Sequence, residues 1–430
     1  VGSKNKGDRL KIGFVSLPIA GHLNPMIALA RRLNQRGHEA IFFGLPDVET
    51  RVRAAGVSFV SFGEKEYPIG SVQTTYAPLS RLSGIEVIQY AYEKCSPGLT
   101  HAAFDYLPDL LREEGIEAMV IDTAYGFVEL VAMSIGIPYA HVWNILPLDF
   151  SGATPICLYS WPNNQTPEAH SRNLEGLKPL GAMLGPIAAI AMAFAKKTSL
   201  DIDWNDPTFT ISKAAILAQT PKEFDFSGAQ WPSHFHYTGP FYDPQGRAPI
   251  PFAWEKLTEK PLIYASLGTM VNALGHVYQT ILEVAEQLSG VQLVLSIGHH
   301  IDFSDLGVIP SNVIVVRSAP QMELLQKASL CITHAGLNTA LESLALGVPM
   351  VAIPIAFDQP GVAARIAEHG VGEFVDLADL TPERLLSLVQ TVLNDASYRD
   401  RASVFQKAIA HTQGLDMAVD ILEQAFPSKR

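Results

Sequence analysis

Two apolar runs, Leu330 to Thr333 and Met350 to Pro354, bracket a helical stretch that opens at Leu337 to Thr339 and closes at Gly347, ahead of Pro349. This strand–helix–strand order constrains the chain more than any other feature, because it is the repeating unit of a parallel sheet covered by helices. Ligands of open parallel sheets bind at the carboxyl ends of the strands. Here the first run ends in the polar loop His334-Ala335-Gly336, and the second in a loop carrying Asp358 and Gln359. A helix start just past a strand end offers unpaired N–H groups and a positive dipole end to a phosphate. His334, Gly336, Asn338, Thr339, Glu342, Asp358 and Gln359 therefore fall at or near one crevice suited to a nucleotide. Singly, each has a plainer explanation. Thr339 with Glu342 three residues later makes a capping box, which starts a helix with no ligand, and Gly347-Val348-Pro349 is an ordinary helix stop. Capping requires neither His334 nor the Asp358-Gln359 loop, so the ordered combination points to a site.

The same grammar runs through both halves. Lys11 to Leu17 reads as a buried strand, followed by a loop containing Gly21, His22, Asn24 and Pro25. Asn24 as N-cap and Pro25 at the first helical position predict a helix to about Gln35, and His38 to Gly44 predicts the next strand. Ala118 to Ile121 is a short apolar strand with Asp122 at its carboxyl end, a helix of about Gly126 to Ile135 behind it, and a further strand over Ile137 to Val142. In the second half, Pro261 to Ser266 is a strand leading into the turn Leu267-Gly268-Thr269 and a helix of about Val277 to Leu288. Val291 to Ile297 and Val313 to Val316 continue as strands. The fold class is α/β, with two doubly wound domains. Their join is expected in the Pro-, Gly- and aromatic-rich stretch Trp231 to Ala253, which lacks helical periodicity.

Bulk properties exclude several classes. A chain of 430 residues has room for two substantial cores. Its formal net charge of −12, with no basic run, argues against a nucleic-acid partner. Cys95, Cys157 and Cys331 form neither a metal pattern nor a disulfide framework, which fits a reducing cytoplasm. No secretory leader is read in Val1 to Gly7. The sequence lacks GxGxxG after its first strand, GxxxxGK[ST], GxSxG and HExxH. His234 with His236, and His299 with His300, are metal ligands by type only, without Cys, Asp or Glu at convincing spacing. The evenly apolar stretch Pro179 to Ala195 is short for a spanning helix. It reads as a pocket-lining helix or loop, with transient membrane contact as the alternative.

The residues above resemble the family 1 glycosyltransferases, nucleotide-sugar-dependent enzymes with the two-domain GT-B fold. The resemblance spans nearly the whole chain and is strongest from Ser318 to Gln359: Pro320-Gln321, Thr333-His334-Ala335-Gly336-Leu337-Asn338-Thr339, Glu342, Gly347-Val348-Pro349 and Asp358-Gln359. Gly21-His22-Leu23-Asn24-Pro25 is similar to the family's catalytic-base loop. Among relatives the chain looks most like bacterial glucosyltransferases of the zeaxanthin and macrolide types.

The resemblance implies that His22 is the general base and Asp122 its orienting partner. It implies that Glu342 accepts ribose hydroxyls, that His334, Gly336, Asn338 and Thr339 hold the diphosphate, and that Gln321 faces the base and ribose. Asp358 and Gln359 would reach the sugar, and Ser266, Gly268 and Thr269 would form the other phosphate-side turn. Relatives place a base-stacking aromatic where this chain has Ser318, so stacking would pass to Arg317 or another side chain. The implied organisation is an acceptor-binding domain over residues 1–235, a linker over 236–258, a nucleotide-sugar domain over 259–410, and a helix over 411–430 packing back on the first domain. The implied reaction moves a hexose, glucose by family preference, from a UDP-sugar to a hydroxyl of a lipophilic small molecule, with inversion and without metal or other cofactor. Walls for the acceptor are expected from Phe62 to Tyr90, Trp143 to Phe150 and Leu180 to Phe194. A nucleotide-sugar epimerase, or a non-catalytic helper protein on the same fold, is the alternative.

Overall fold

A computed structural model describes residues 9–243 and 249–426. Val1 to Gly7, the middle of the expected linker and the last residues of the expected final helix lie outside the described residues. The first sheet contains β1 (Lys11–Val15), β2 (Glu39–Gly44), β3 (Ser58–Ser61), β4 (Ala118–Asp122), β5 (Tyr139–Trp143), β6 (Ala215–Ala218) and β7 (Phe235–Tyr237), in the order β3-β2-β1-β4-β5-β6-β7. The second contains β8 (Leu262–Ser266), β9 (Gln292–Ser296), β10 (Val313–Val316), β11 (Ala328–Thr333), β12 (Met350–Ala352) and β13 (Gly372–Phe374), in the order β10-β9-β8-β11-β12-β13. Neighbouring strands in both sheets run parallel.

Strand side chains alternate between two cores, as helices on both faces require. In β4, Ala118 and Val120 enter one apolar cluster while Met119 and Ile121 enter another. In β8, Ile263 and Ala265 face one cluster, Leu262 and Tyr264 the other. Chain order reverses between β1 and β4 in the first sheet and between β8 and β11 in the second. Each reversal opens a crevice at the strands' carboxyl ends, and these crevices hold the candidate residues.

Several boundaries differ from the sequence reading. The first helix spans Ala20–Gln35, with Ile19 at the cap position and Pro25 inside it. His22 and Asn24 are therefore helical, and Asn24 does not cap. Tertiary contact decided this, since the first turn is held between Asp122 of β4 and the other domain. The linker cannot begin at 236, because β7 still pairs with β6 through Phe235, His236 and Tyr237. Helix Gly414–Ala425 packs on helix Ala20–Gln35. Arg32 donates to both oxygens of Asp416 at 2.7 and 2.6 Å, and Ala418, Val419, Leu422 and Phe426 enter the first domain's core.

The domains are closed on each other. Leu79, Val87 and Cys95 from the first domain join a core cluster of the second, and Leu146, Cys157 and Phe224 join another. Gly361 N–H donates to the Cys157 carbonyl at 2.8 Å. A Cβ on Gly361 would lie 2.5 Å from Cys157 Cα, so only glycine permits that approach. Buried Arg365 donates to buried Asp225 at 2.8 Å and lies over the Phe226 ring.

The apolar stretch after Lys178 folds as the ends of two helices, Pro167–Met183 and Gly185–Lys197, bent by 65°. Ile187, Ala191 and Phe194 of the second are buried, the last two in the first domain's core. Among the described residues, no single helix is long and apolar enough to cross a membrane.

Candidate active site

The crevice of the first domain is built around one buried carboxylate. Asp122 ends β4 and is fully buried. Its Oδ2 accepts from Ser16 Oγ at 2.9 Å and Leu17 N–H at 3.3 Å, and its Oδ1 accepts from Ala124 N–H at 3.2 Å. His22, in the first turn of its helix, brings Nδ1 to 2.8 Å from Oδ2. Burial alone would push this carboxyl up, but the facing imidazole and the donated hydrogen bonds hold it below the ordinary range. For His22, burial disfavours the charged ring, yet Asp122 more than offsets this and leaves the pKa raised above 6.5. A carboxylate only accepts, so Nδ1 carries the proton of the neutral ring and Nε2 is left with its lone pair. Ser16 belongs to this network, although the sequence pattern did not single it out. Its position between strand and loop was the available signal.

The crevice of the second domain lies between β8 and β11. Helix Leu337–Ala345 starts from Gly336 with no side-chain cap. The capping box predicted for Thr339 and Glu342 is absent, because Thr339 is already inside the helix and Glu342 is bonded elsewhere. Gln321 Nε2 donates to Glu342 Oε2 at 2.6 Å and lies 3.3 Å from Thr339 Oγ1, while Tyr264 donates to Gln321 Oε1 at 3.1 Å. The helix N–H groups thus remain available to an anion. Asn338 reaches across the cleft, its Nδ2 donating to the Gly21 carbonyl at 2.8 Å.

His334 sits between Gly268 and Gly336, and a Cβ on either glycine would lie 2.6 Å from its Nε2. Both loops therefore need glycine beside this ring. Burial pushes the His334 pKa down to about 4, so the ring is neutral near pH 7. Its Nδ1 is buried without a protein partner. The ring lies at the start of the uncapped helix, its Nε2 against Gly336, where an anion would meet the helix N–H groups. Non-glycine residues Ala335 and Phe357 take φ of 62° and 55° in the loops after β11 and β12. Such strain persists where surrounding contacts over-determine it.

Asp358 and Gln359 reach the same cleft, with part of their capacity already used. Asp358 accepts from Leu146 N–H at 3.0 Å, and Gln359 Oε1 accepts from Ile355 and Ala356 N–H, each at 2.9 Å. This leaves Gln359 its amide donors and Asp358 its other oxygen. Ser266 is buried at the end of β8, while Thr269 and Ser318 are exposed. Arg317 is held by the Gly298 and Ile301 carbonyls and by Asp302 at 3.3, 2.9 and 3.0 Å, and lies 5.1 Å from the Phe303 ring centre. Its guanidinium braces the neighbouring loop.

The expected acceptor walls divide. Phe194 stacks on Phe104 in the core, and Leu79 and Val87 are interdomain packing. Tyr92, on a π-helical turn spanning Ala91–Cys95, lies within electrostatic reach of Asp122 and Cys157. Burial pushes its hydroxyl up to about 12. No sequence signal marked Tyr92, since a π-turn leaves no periodicity of its own. Among the described residues, no group of three or more His, Cys, Asp or Glu is placed to hold a metal ion.

Two facing parallel-sheet domains, each with its crevice at the carboxyl ends of its strands, give the chain the GT-B fold. The solved structure of the glycotransferase of kitacinnamycin aligns with a TM-score of 0.76 at 23% identity, covering 97% of this chain and 99% of that one. The glycosyltransferase VinC in complex with DTDP aligns at 0.68 and 19% identity, covering 97% and 99%. In sequence, the chain is 26% identical to the zeaxanthin glucosyltransferase of Pantoea ananas over 96% of this chain and 95% of that protein. It is also 26% identical to the demethyllactenocin mycarosyltransferase of Streptomyces fradiae, over 96% and 86%. Residues 243–424 match the family described as UDP-glucoronosyl and UDP-glucosyl transferase. Within the GT-B fold, the chain is similar to the UDP-glycosyltransferases, by its second domain and by relatives along its whole length.

Proposed function

We propose that the protein transfers a hexose, glucose in the first instance, from a UDP-sugar to a hydroxyl of a lipophilic natural product, by single displacement with inversion. The observation that supports this most is the 2.8 Å contact of His22 Nδ1 with buried Asp122, across the cleft from the uncapped helix at Leu337. With Nδ1 held by Asp122, His22 Nε2 takes the acceptor proton as the oxygen attacks the anomeric carbon. Asp122 then stabilises the imidazolium. The sugar–phosphate bond breaks on the opposite side, and UDP carries the electron pair away.

Negative charge growing on the diphosphate is met by the helix N–H groups, the His334 ring and Asn338, donors that are fixed before reaction begins. On this reading no metal is required. Glu342, oriented by Gln321, accepts the ribose hydroxyls, and Gln359 and Asp358 address the sugar. The closed domains exclude water and set acceptor against donor. Relatives named for zeaxanthin and demethyllactenocin favour an apolar acceptor.

The test is UDP release, with product mass, across carotenoid, macrolide and flavonoid acceptors given UDP-glucose or dTDP-glucose. A glycoside one hexose heavier than its acceptor is expected with UDP-glucose. UDP-sugar interconversion without acceptor modification would instead select the epimerase reading. Glu342→Ala is expected to weaken UDP binding, and unchanged affinity would remove its ribose role.

A further inference from the structure

The first helix contains a proline where an intrahelical hydrogen bond should form. In helix Ala20–Gln35 the N–H of residue 25 would bond the carbonyl of Gly21. Residue 25 is Pro25, which has no N–H. The Gly21 carbonyl is therefore released from the helix ladder one residue before His22. Its hydrogen bond comes from the other domain, from Asn338 Nδ2 at 2.8 Å. Asn338 is the second residue of the uncapped helix at the donor crevice. The contact thus joins the turn bearing the base to the helix start facing the leaving group.

Geometry at Gly21 is consistent with a deliberate opening. Gly21 is exposed, and a Cβ added there would stand 3.9 Å from Asn338 Nδ2. Pro25 itself is buried, so its ring also anchors the turn from below. We propose that Pro25 acts as a positioning residue: by withholding one N–H it leaves the Gly21 carbonyl free for Asn338, and this single bond registers His22 against the donor helix when the domains close. The proposal deepens the transferase reading and rests on it. It assigns Asn338 a second task beyond phosphate contact, and gives Pro25 a role unrelated to starting a helix.

The roles separate in a double-mutant cycle of Pro25→Ala and Asn338→Ala, read by hydrogen exchange of the 17–24 segment and by turnover with a responsive acceptor. Pro25→Ala supplies an N–H that competes for the Gly21 carbonyl inside the helix. Asn338→Ala is expected to speed exchange in the first turn severalfold when Pro25 is present, and to have little effect when it is combined with Pro25→Ala. Pro25→Ala should lower kcat about tenfold, as a small misplacement of the base would, while UDP affinity stays within about twofold. Asn338→Asp, which keeps the shape but turns an acceptor towards Gly21, should lower kcat at least as far as Asn338→Ala. Equal effects of Asn338→Ala on exchange in both backgrounds would overturn the proposal, as would wild-type kcat in Pro25→Ala. A His22→Ala control distinguishes the failures: full activity in that variant defeats the base assignment, whereas a dead His22→Ala with an additive cycle defeats only the Pro25 role. Exchange reports on the bond even where no acceptor responds.

Discussion

His22 Nδ1 stands 2.8 Å from Asp122 Oδ2, although 100 residues separate the two in the chain. Parallel pairing of β1 with β4 makes this possible, since both side chains follow carboxyl ends of adjacent strands. Asp122→Asn would keep the shape and burial while removing the charge and allowing the wrong imidazole tautomer. Turnover should fall about 10²-fold or more, the range expected for losing general-base catalysis, with UDP affinity unchanged. Steady-state kinetics beside calorimetric titration of UDP checks both halves.

The same pair gives activity and stability opposite pH dependences. Because the base must be neutral, kcat/KM should rise with pH through an inflection above 6.5, the ordinary value of the imidazole. Stability from the raised histidine is full below 6.5 and is lost as pH rises through the folded value. Asp122, lowered from 3.8, stabilises above that value and loses its contribution as pH falls through the folded one. In Asp122→Asn the activity inflection should move down. A pH–rate profile with thermal melts at matched pH measures both trends, and an inflection that stays in place would separate Asp122 from the titration.

Gly268 has φ of +78°, and a Cβ there would stand 2.6 Å from His334 Nε2. Gly268→Ala should therefore displace the ring proposed to face the diphosphate. Donor KM is expected to rise about tenfold or more, with acceptor binding and the His22 inflection unchanged. Initial rates at varied UDP-sugar concentration provide the check.

Asp225 and Arg365 are buried together between the domains, with Tyr237 also donating to Asp225 at 2.6 Å. Asp225→Ala leaves a guanidinium uncompensated in the interior. It should destabilise the protein by about 3–5 kcal/mol, seen as a lower denaturation midpoint. Replacing both residues by apolar side chains of similar volume should recover much of that loss.

Much of the site was legible because strand ends are easy to locate in an α/β sequence. The His22, Asp122 and His334 loops follow apolar runs, and the topology brings them to the cleft. Features that depend on tertiary contact were not legible. Asn24-Pro25 has the composition of a helix start, yet the helix begins at Ala20 because the other domain takes up the carbonyl that Pro25 leaves open. Thr339 and Glu342 have capping-box spacing, but Gln321, the first residue of the short helix Gln321–Leu325, claims the carboxylate. Cross-domain partners of this kind carry no local periodicity. The buried Asp225–Arg365 pair, 140 residues apart, is hidden for the same reason.

The proposed transfer divides the work: a base in one domain activates a hydroxyl while the other domain holds the sugar nucleotide. His22→Ala, assayed for single-turnover sugar transfer alongside calorimetric UDP binding, separates the two halves of that division of labour. Transfer should fall by about 10²–10⁴-fold with UDP bound as tightly as before. Transfer at the wild-type rate in that variant would show that His22 is not the base.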